Sequence, residues 1–183
     1  YRKREMVSNM AEQNCCCQSQ SCCCSQETNK EVKIDFLYLD LSVCERCQGT
    51  ESNLDQAIQD VSQVLKAAGY QISVNKVNVN TRELAYQYKF VSSPTIRLNG
   101  MDISMEVNES SCKECGDLCG DEVDCRVWTY EGTDYTEPPK EMIINAILKY
   151  IYSEQDSIKK EVPQTDVYEI PANLERFFAK ANC

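Results

Sequence analysis

Histidine is absent from all 183 residues, and that absence removes more chemistry than any other feature of the composition. Without imidazole there is no Ser-His or Cys-His nucleophile pair, so hydrolases of those kinds are excluded. A bound metal must be held mainly by thiolate, with carboxylate as a helper, which directs attention to soft ions rather than to Mg(II) or Ca(II). Positive charge is also scarce. The 19 Lys and Arg stand against 29 Asp and Glu, a formal net charge of -10, which argues against an electrostatic grip on nucleic acid or anionic lipid. No apolar run approaches the ~18 residues of a membrane span, and the N-terminus lacks the apolar core of a signal peptide. These absences predict a soluble, cytoplasmic protein with no nucleic-acid partner and no membrane span within this chain. The opening Tyr1-Arg2-Lys3-Arg4-Glu5 lacks an initiator Met and has the basic look of a segment that follows a membrane helix, so an upstream anchor is compatible with the chain being a fragment.

What is present in excess is cysteine, 13 residues in all. An odd number in tight clusters is not the pattern of a secreted disulfide framework, and most of these thiols are expected to be reduced. The length suits one domain with tails. Residues 1–30 are polar and rich in Gln, Ser, Asn and Cys, too poor in aliphatic surface to fold alone, and read as a flexible Cys-rich tail. Residues 31–152 carry the domain, and residues 153–183 a charged linker and a short C-terminal helix.

Within the domain the alternation is β-α-β-α. Val32, Ile34, Phe36 and Tyr38, with Leu37 and Leu39, predict a strand apolar on both faces and therefore central. Leu54, Ile58, Val61, Val64, Leu65 and Ala68 predict a helix over about 52–68 that Gly69 terminates. Ile72, Val74, Val77 and Val79 predict a second strand, after which Asn80 is placed to cap a helix carrying Leu84, Ala85 and Tyr88. A third strand follows Pro94, turns at Asn99-Gly100 and returns through Ile103 and Met105. A cysteine-bearing loop over about 107–125 precedes a short strand at 127–130. Pro138 and Pro139 open a helix whose Met142, Ile143, Ala146, Ile147, Tyr150 and Ile151 form one stripe. Leu174, Phe177 and Phe178 lie on a last short helix, ready to dock on the domain or on a partner.

This order of elements resembles the thioredoxin superfamily over residues 31–152, an α/β fold with a central mixed sheet flanked by helices, here with a Cys-rich loop insertion. Four features look more narrowly like the thioredoxin-like family catalogued as a domain of unknown function, DUF2703. They are Cys44-Glu-Arg-Cys47, Arg97-Leu98-Asn99-Gly100, the run from Ser111-Cys112 through Cys125-Arg126, and Tyr130-Glu-Gly-Thr-Asp-Tyr135. The superfamily resemblance implies that Pro94 is cis and lies against the Cys44/Cys47 dithiol. It also exposes departures: Glu45 and Arg46 replace the usual Gly-Pro, no Trp precedes Cys44, and Gln48-Gly49-Thr50 is expected to delay the helix start and weaken its dipole at the thiols.

Three cysteine groups carry the chemistry. Cys44 and Cys47 have a spacing that serves either a redox disulfide, with Cys44 the more exposed attacking thiol and Cys47 the resolving one, or two ligands of a soft metal. Inert buried thiols are the plainer alternative. Cys112, Cys115, Cys119 and Cys125 form a C-x2-C-x3-C-x5-C cluster. Four thiolates close a tetrahedral Zn(II) site, three hold As(III), and two hold linear Hg(II) or Cu(I); local disulfides pinning the loop are the bland reading. The loop is placed to lie over Cys44 and pool its sulfurs with the dithiol. Cys15, Cys16, Cys17, Cys22, Cys23 and Cys24 put six thiols into ten polar residues, which suits a flexible chelator better than a fold, with oxidation buffering or palmitoylation as alternatives. Three functions compete on this evidence. One is a chaperone or sequestering protein for a soft metal or metalloid ion, without an organic cofactor and with a metal(loid) transporter or thiol reductase as partner. The others are a thiol-disulfide oxidoreductase using Cys44 and Cys47, and a zinc-stabilised interaction domain.

Overall fold

The computed structural model describes residues 30–113, 115, 123–153 and 167–180. The six tail cysteines, Cys119, Cys183 and nearly all of the expected 153–167 linker lie outside the described residues.

The main sheet is mixed. Strand β1 (Lys30–Tyr38) pairs in parallel with β2 (Tyr70–Asn78) across helix α1 (Glu45–Ala67), and antiparallel with β3 (Thr95–Leu98), which turns into β4 (Met101–Asp102). The strand order is β2-β1-β3-β4, so β1 is central as its apolar content predicts. Its second face is apolar only at the C-terminal end. Leu37 and Leu39 are buried there, whereas Lys33 is exposed and Asp35 half-buried on the same side. The β3–β4 turn has Asn99 at φ 48 and Gly100 at φ 87. Positive φ at both central residues is what a type I′ hairpin requires, and Asn and Gly tolerate it best.

One face of this sheet carries α1 and helix α3 (Lys140–Tyr152), packed side by side. Val32, Ile34 and Phe36 of β1 meet Leu54, Val61 and Leu65 of α1 and Ile143, Ile147 and Ile151 of α3, with Ile96 and Trp128 closing the cluster. The i, i+3/i+4, i+7 stripe of each helix supplies these contacts directly. A second core lies on the opposite face of the sheet at the C-terminal end of β1, where Leu37, Leu39, Val79, Ala85 and Phe90 pack with five cysteines and with Leu174, Phe177 and Phe178. These last three belong to helix α4 (Ala172–Lys180), so the C-terminal helix docks on its own domain. Helix α2 (Arg82–Tyr88) borders this second core.

The two ends of the expected cysteine loop are paired strands. Strand β5 (Asn108–Cys112) pairs antiparallel with β6 (Val123–Tyr130), and β6 pairs with β7 (Thr133–Tyr135). The predicted short strand at 127–130 therefore begins four residues earlier, because its partner lies across the cysteine segment where local periodicity carries no signal. Ile103 still donates its N–H to Ile96 O at 3.1 Å, but the return strand stops at Asp102 and Met105 is 87% exposed. The cap of α2 is Thr81, whose hydroxyl accepts from Leu84 N at 3.3 Å, one residue later than Asn80.

The largest correction concerns α1, which begins at Glu45 rather than near residue 52. Cys44 is its N-cap, Gln48 N donates to Cys44 O at 3.0 Å, and Thr50 Oγ1 donates back to Arg46 O at 2.7 Å. Gly49 is accommodated in the helix because the Glu137 carboxyl lies where its Cβ would be. Tertiary contact thus overrides the weak helix propensity of Gly and Thr.

Strand β6 is buried on both sides where it runs between the two cores. Its odd-numbered face presents Val123 and Cys125, and its even-numbered face presents Arg126 and Trp128. Arg126 donates to Asp102 at 2.7 and 2.9 Å, to Thr95 Oγ1 at 3.0 Å and to Ser104 O at 3.1 Å, and its guanidinium lies 4.4 Å from the Trp128 ring centroid. The Arg126 N–H also donates to Ser93 O at 2.7 Å. This arginine ties the hairpin to the main sheet with its charge wholly desolvated. Breaking such a pair from one side leaves the other buried charge exposed to a low-dielectric surrounding. Arg126→Ala is expected to lower the unfolding free energy by about 3 kcal/mol, the low end for a buried pair because Asp102 is 25% exposed. Urea denaturation followed by circular dichroism measures it, and an unchanged midpoint would contradict the assignment.

Candidate metal centre

The sulfur atoms of Cys44, Cys112, Cys115 and Cys125 all lie within 4.8 Å of one another, and all four residues are buried. The Cys115 and Cys125 sulfurs are 3.6 Å apart. Each residue arrives by a different local route. Cys44 ends the loop after β1 and caps α1, Cys112 ends β5, Cys115 lies in helical backbone just beyond it, and Cys125 stands on β6 opposite Ser110. Because opposed residues of an antiparallel pair share a face, Cys112 opposite Val123 and Ser110 opposite Cys125 all point to the same side of the hairpin. That side is the one laid against the start of α1.

The sequence placed a four-thiolate set at Cys112, Cys115, Cys119 and Cys125. The structure brings three of these together and supplies the fourth sulfur from Cys44, while Cys119 lies outside the described residues. The expectation that the segment lies over the Cys44 loop is met for Cys44 but not for Cys47, which stays out of the four-sulfur group. Cys47 instead has its sulfur 3.5 Å from Ser93 Oγ and donates its backbone N–H to Cys44 Sγ at 3.3 Å. The Ser93-Pro94 bond is cis, and this segment borders Cys47 through the Ser93 hydroxyl, which also accepts from Leu39 N at 3.1 Å. Cys44 is not the exposed member of the pair: both side chains are fully buried, because the hairpin covers the helix start. Cys44, Cys47, Cys115 and Cys125 are not in disulfides, so local bridges do not pin the segment through them.

The electrostatics of the group follow from crowding. Hydrogen bonds from Cys112, then Cys115, Cys125 and Cys47, hold the Cys44 thiol far below its ordinary range. A hydrogen bond from Cys115 lowers Cys112 as well. The other thiols carry the protons: Cys115 and Cys125 are pushed up chiefly by the bonds they make to Cys112, and Cys47 by its bond to Cys44 and by burial. Four thiolates this close repel one another unless a cation stands among them. A tetrahedral ion with metal–sulfur bonds of about 2.3 Å has sulfur–sulfur edges of roughly 3.8 Å. The observed spacing brackets that edge, with Cys115 and Cys125 3.6 Å apart and all four sulfurs within 4.8 Å.

Arg46, between the two cysteines of the C-x-x-C, is more than a departure from the usual Gly-Pro. Its guanidinium donates to Ser110 Oγ at 2.9 Å, Ser111 O at 2.8 Å, Ser110 O at 3.3 Å and Cys125 O at 3.4 Å. It therefore fastens both strands of the hairpin to the first turn of α1, directly beside the sulfurs.

The class defined by this fold and site is a mixed α/β domain with a buried four-cysteine centre between a helix cap and a hairpin. The chain belongs to the family described as Domain of unknown function (DUF2703), which matches residues 32–147. No curated protein and no solved structure matches it.

Removing the arginine fan should loosen the centre without removing a ligand. Arg46→Ala is expected to weaken Cd(II) or Zn(II) affinity by about 10- to 100-fold, the usual effect of losing a group that orients ligands, and Arg46→Lys should not restore it because a single ammonium cannot reach four acceptors. Competition with a chromophoric chelator reads both. Loading should also release protons and strengthen as pH rises, since Cys115 and Cys125 hold protons in the metal-free protein and must lose them to bind. Proton release into weakly buffered solution during titration checks the sign.

Proposed function

We propose that this protein is a thiol-based binding protein for a soft metal or metalloid ion, seated at Cys44, Cys112, Cys115 and Cys125. The observation that carries the reading is the convergence of four buried sulfurs within 4.8 Å. With no histidine in the chain and no carboxylate in the group, the donor set is all sulfur, which favours Zn(II), Cu(I), Hg(II) or As(III) over hard cations. Four sulfurs rather than two or three favour a tetrahedral ion of the Zn(II) type. Complete burial suits retention of the ion, hence sequestration more than rapid exchange. The tail triplets, Cys15 to Cys17 and Cys22 to Cys24, fit a flexible first chelator that passes the ion inward, with a transporter or thiol reductase as the counterpart. We also read the domain as thioredoxin-like. Support comes from the β2-β1-β3-β4 order, the α1 crossover and the cis bond before Pro94 at the start of β3.

A zinc-stabilised interaction domain is a second reading, favoured by the position of the centre inside a core shared with Phe90, Leu174 and Phe178. The two differ in what chelation does. A sequestering protein gives up its ion and stays folded, whereas a structural centre unfolds when emptied.

The test is native mass spectrometry and circular dichroism of reduced protein in which the tail cysteines are serine, with Zn(II), Cd(II), Hg(II) and As(III) added in turn. One equivalent should bind, and any one of Cys44→Ser, Cys112→Ser, Cys115→Ser or Cys125→Ser should abolish tight binding. Thiol-independent uptake, or none of any ion, would overturn the proposal.

A further inference from the structure

The C-x-x-C motif is split by the fold. Cys44 belongs to the four-sulfur group and Cys47 does not, yet Cys47 donates its backbone N–H to Cys44 Sγ at 3.3 Å. Cys47 is therefore a fully buried thiol with no place among the ligands and with a ligand as its immediate partner. Two residues separate the pair at the first turn of α1, where Cys44 is the cap, the C-x-x-C spacing at which two sulfurs can join.

We infer that Cys44 has two mutually exclusive partners, the metal and Cys47, so that a Cys44–Cys47 disulfide closes the centre to metal and its reduction reopens it. This rests on the four-thiolate reading above. The chemistry needs a small-molecule disulfide as oxidant and a dithiol as reductant, and, because both thiols are fully buried, it takes place when the hairpin lifts from the start of α1 to admit them. The Cys44 thiolate attacks one sulfur of the disulfide, whose S–S bond breaks, and the first thiolate leaves and takes up a proton. Cys47 gives up its proton and attacks the Cys44 sulfur of the mixed disulfide, and the second small thiol leaves as thiolate and is protonated. Two protein thiols are oxidised to one disulfide and one small disulfide is reduced to two thiols. A dithiol reverses both steps.

The surroundings favour this pair. The Cys47 N–H and the start of a 23-residue helix both stabilise negative charge on Cys44, as attacking and as leaving sulfur. The Ser93 hydroxyl, 3.5 Å from Cys47 Sγ, is a hydrogen-bond partner for that sulfur once its proton has gone. The rival pair is Cys115 and Cys125, whose sulfurs are 3.6 Å apart. A bond there would also disable the centre, but it would leave Cys47 reduced.

The experiment uses the full chain with the six tail cysteines, Cys119 and Cys183 replaced by serine, leaving the five described cysteines. Reduced protein should take up Cd(II), read by its sulfur-to-metal charge-transfer band. Metal-free protein treated with oxidised glutathione should lose the mass of two hydrogens, show Cys44 joined to Cys47 on peptide mapping, and no longer take up Cd(II) until dithiothreitol is added. Cd(II) bound beforehand should prevent the disulfide. Cys47→Ser should load Cd(II) as the parent does when reduced, and on oxidation should gain a glutathione adduct instead of losing two hydrogens. Reduced protein that takes up no Cd(II) overturns both the metal reading and the gate. Normal uptake with a Cys115–Cys125 disulfide, or with uptake undiminished after oxidation, overturns the gate alone. Loss of Cd(II) binding in reduced Cys47→Ser does the same, because it would make Cys47 a ligand.

Discussion

Three of the four clustered sulfurs ride on the β5–β6 hairpin and the segment that joins its strands, and the fourth is the cap of α1. Everything distinctive about the molecule depends on the hairpin being held against that helix end. Two arginines hold it, one from each side. Arg46 reaches out from the helix to four acceptors on β5 and β6. Arg126 reaches from the opposite face of β6 to Asp102, Thr95 and the carbonyl of Ser104 on the main-sheet side. A guanidinium suits both tasks because its planar fork meets several acceptors at once with little reorganisation.

Burial sets the chemistry that follows. Sulfurs brought together at the joint between two pieces of structure pull one another's proton affinities apart, with Cys44 and Cys112 lowered and Cys115, Cys125 and Cys47 raised by the hydrogen bonds among them. A soft cation resolves that crowding, and so does oxidation of a pair. The second core around the sulfurs is built from Leu39, Phe90, Leu174 and Phe178, which exclude water and strengthen whichever bond the sulfurs make. The C-terminal helix is part of this enclosure. Asn173 receives the Asp124 N–H at 3.0 Å and donates to the Asp124 carbonyl at 2.8 Å, so α4 also grips the strand that carries Cys125.

Much of the fold could be read from the residues. The apolar alternation of β1, the stripes of α1 and α3, the Asn99-Gly100 hairpin and the apolar face of the last helix each encode a local structure whose period matches its pattern. The misreadings came where a neighbour distant in sequence decided the outcome. Helix α1 runs back to Glu45 because Cys44 caps it and Glu137 covers Gly49, and β6 extends to Val123 because β5 lies beside it. Nothing in residues 45–51 or 123–126 announces those partners. Arg126 also escaped notice, since an arginine in a strand looks solvent-exposed until an acid such as Asp102 is found across the fold.

The sequence by itself determined the chemistry of the centre. With thirteen cysteines and no histidine, any ion held here meets sulfur, and the C-x-x-C and the later cluster name the residues to consider. Only the tertiary structure decided the grouping, drawing Cys44 into the cluster with Cys112, Cys115 and Cys125 and leaving Cys47 beside Ser93. Spacing along a chain limits which sulfurs can meet within one segment. Which segments meet is decided by burial of apolar surface and by the two arginines that bind the hairpin to the helix and sheet.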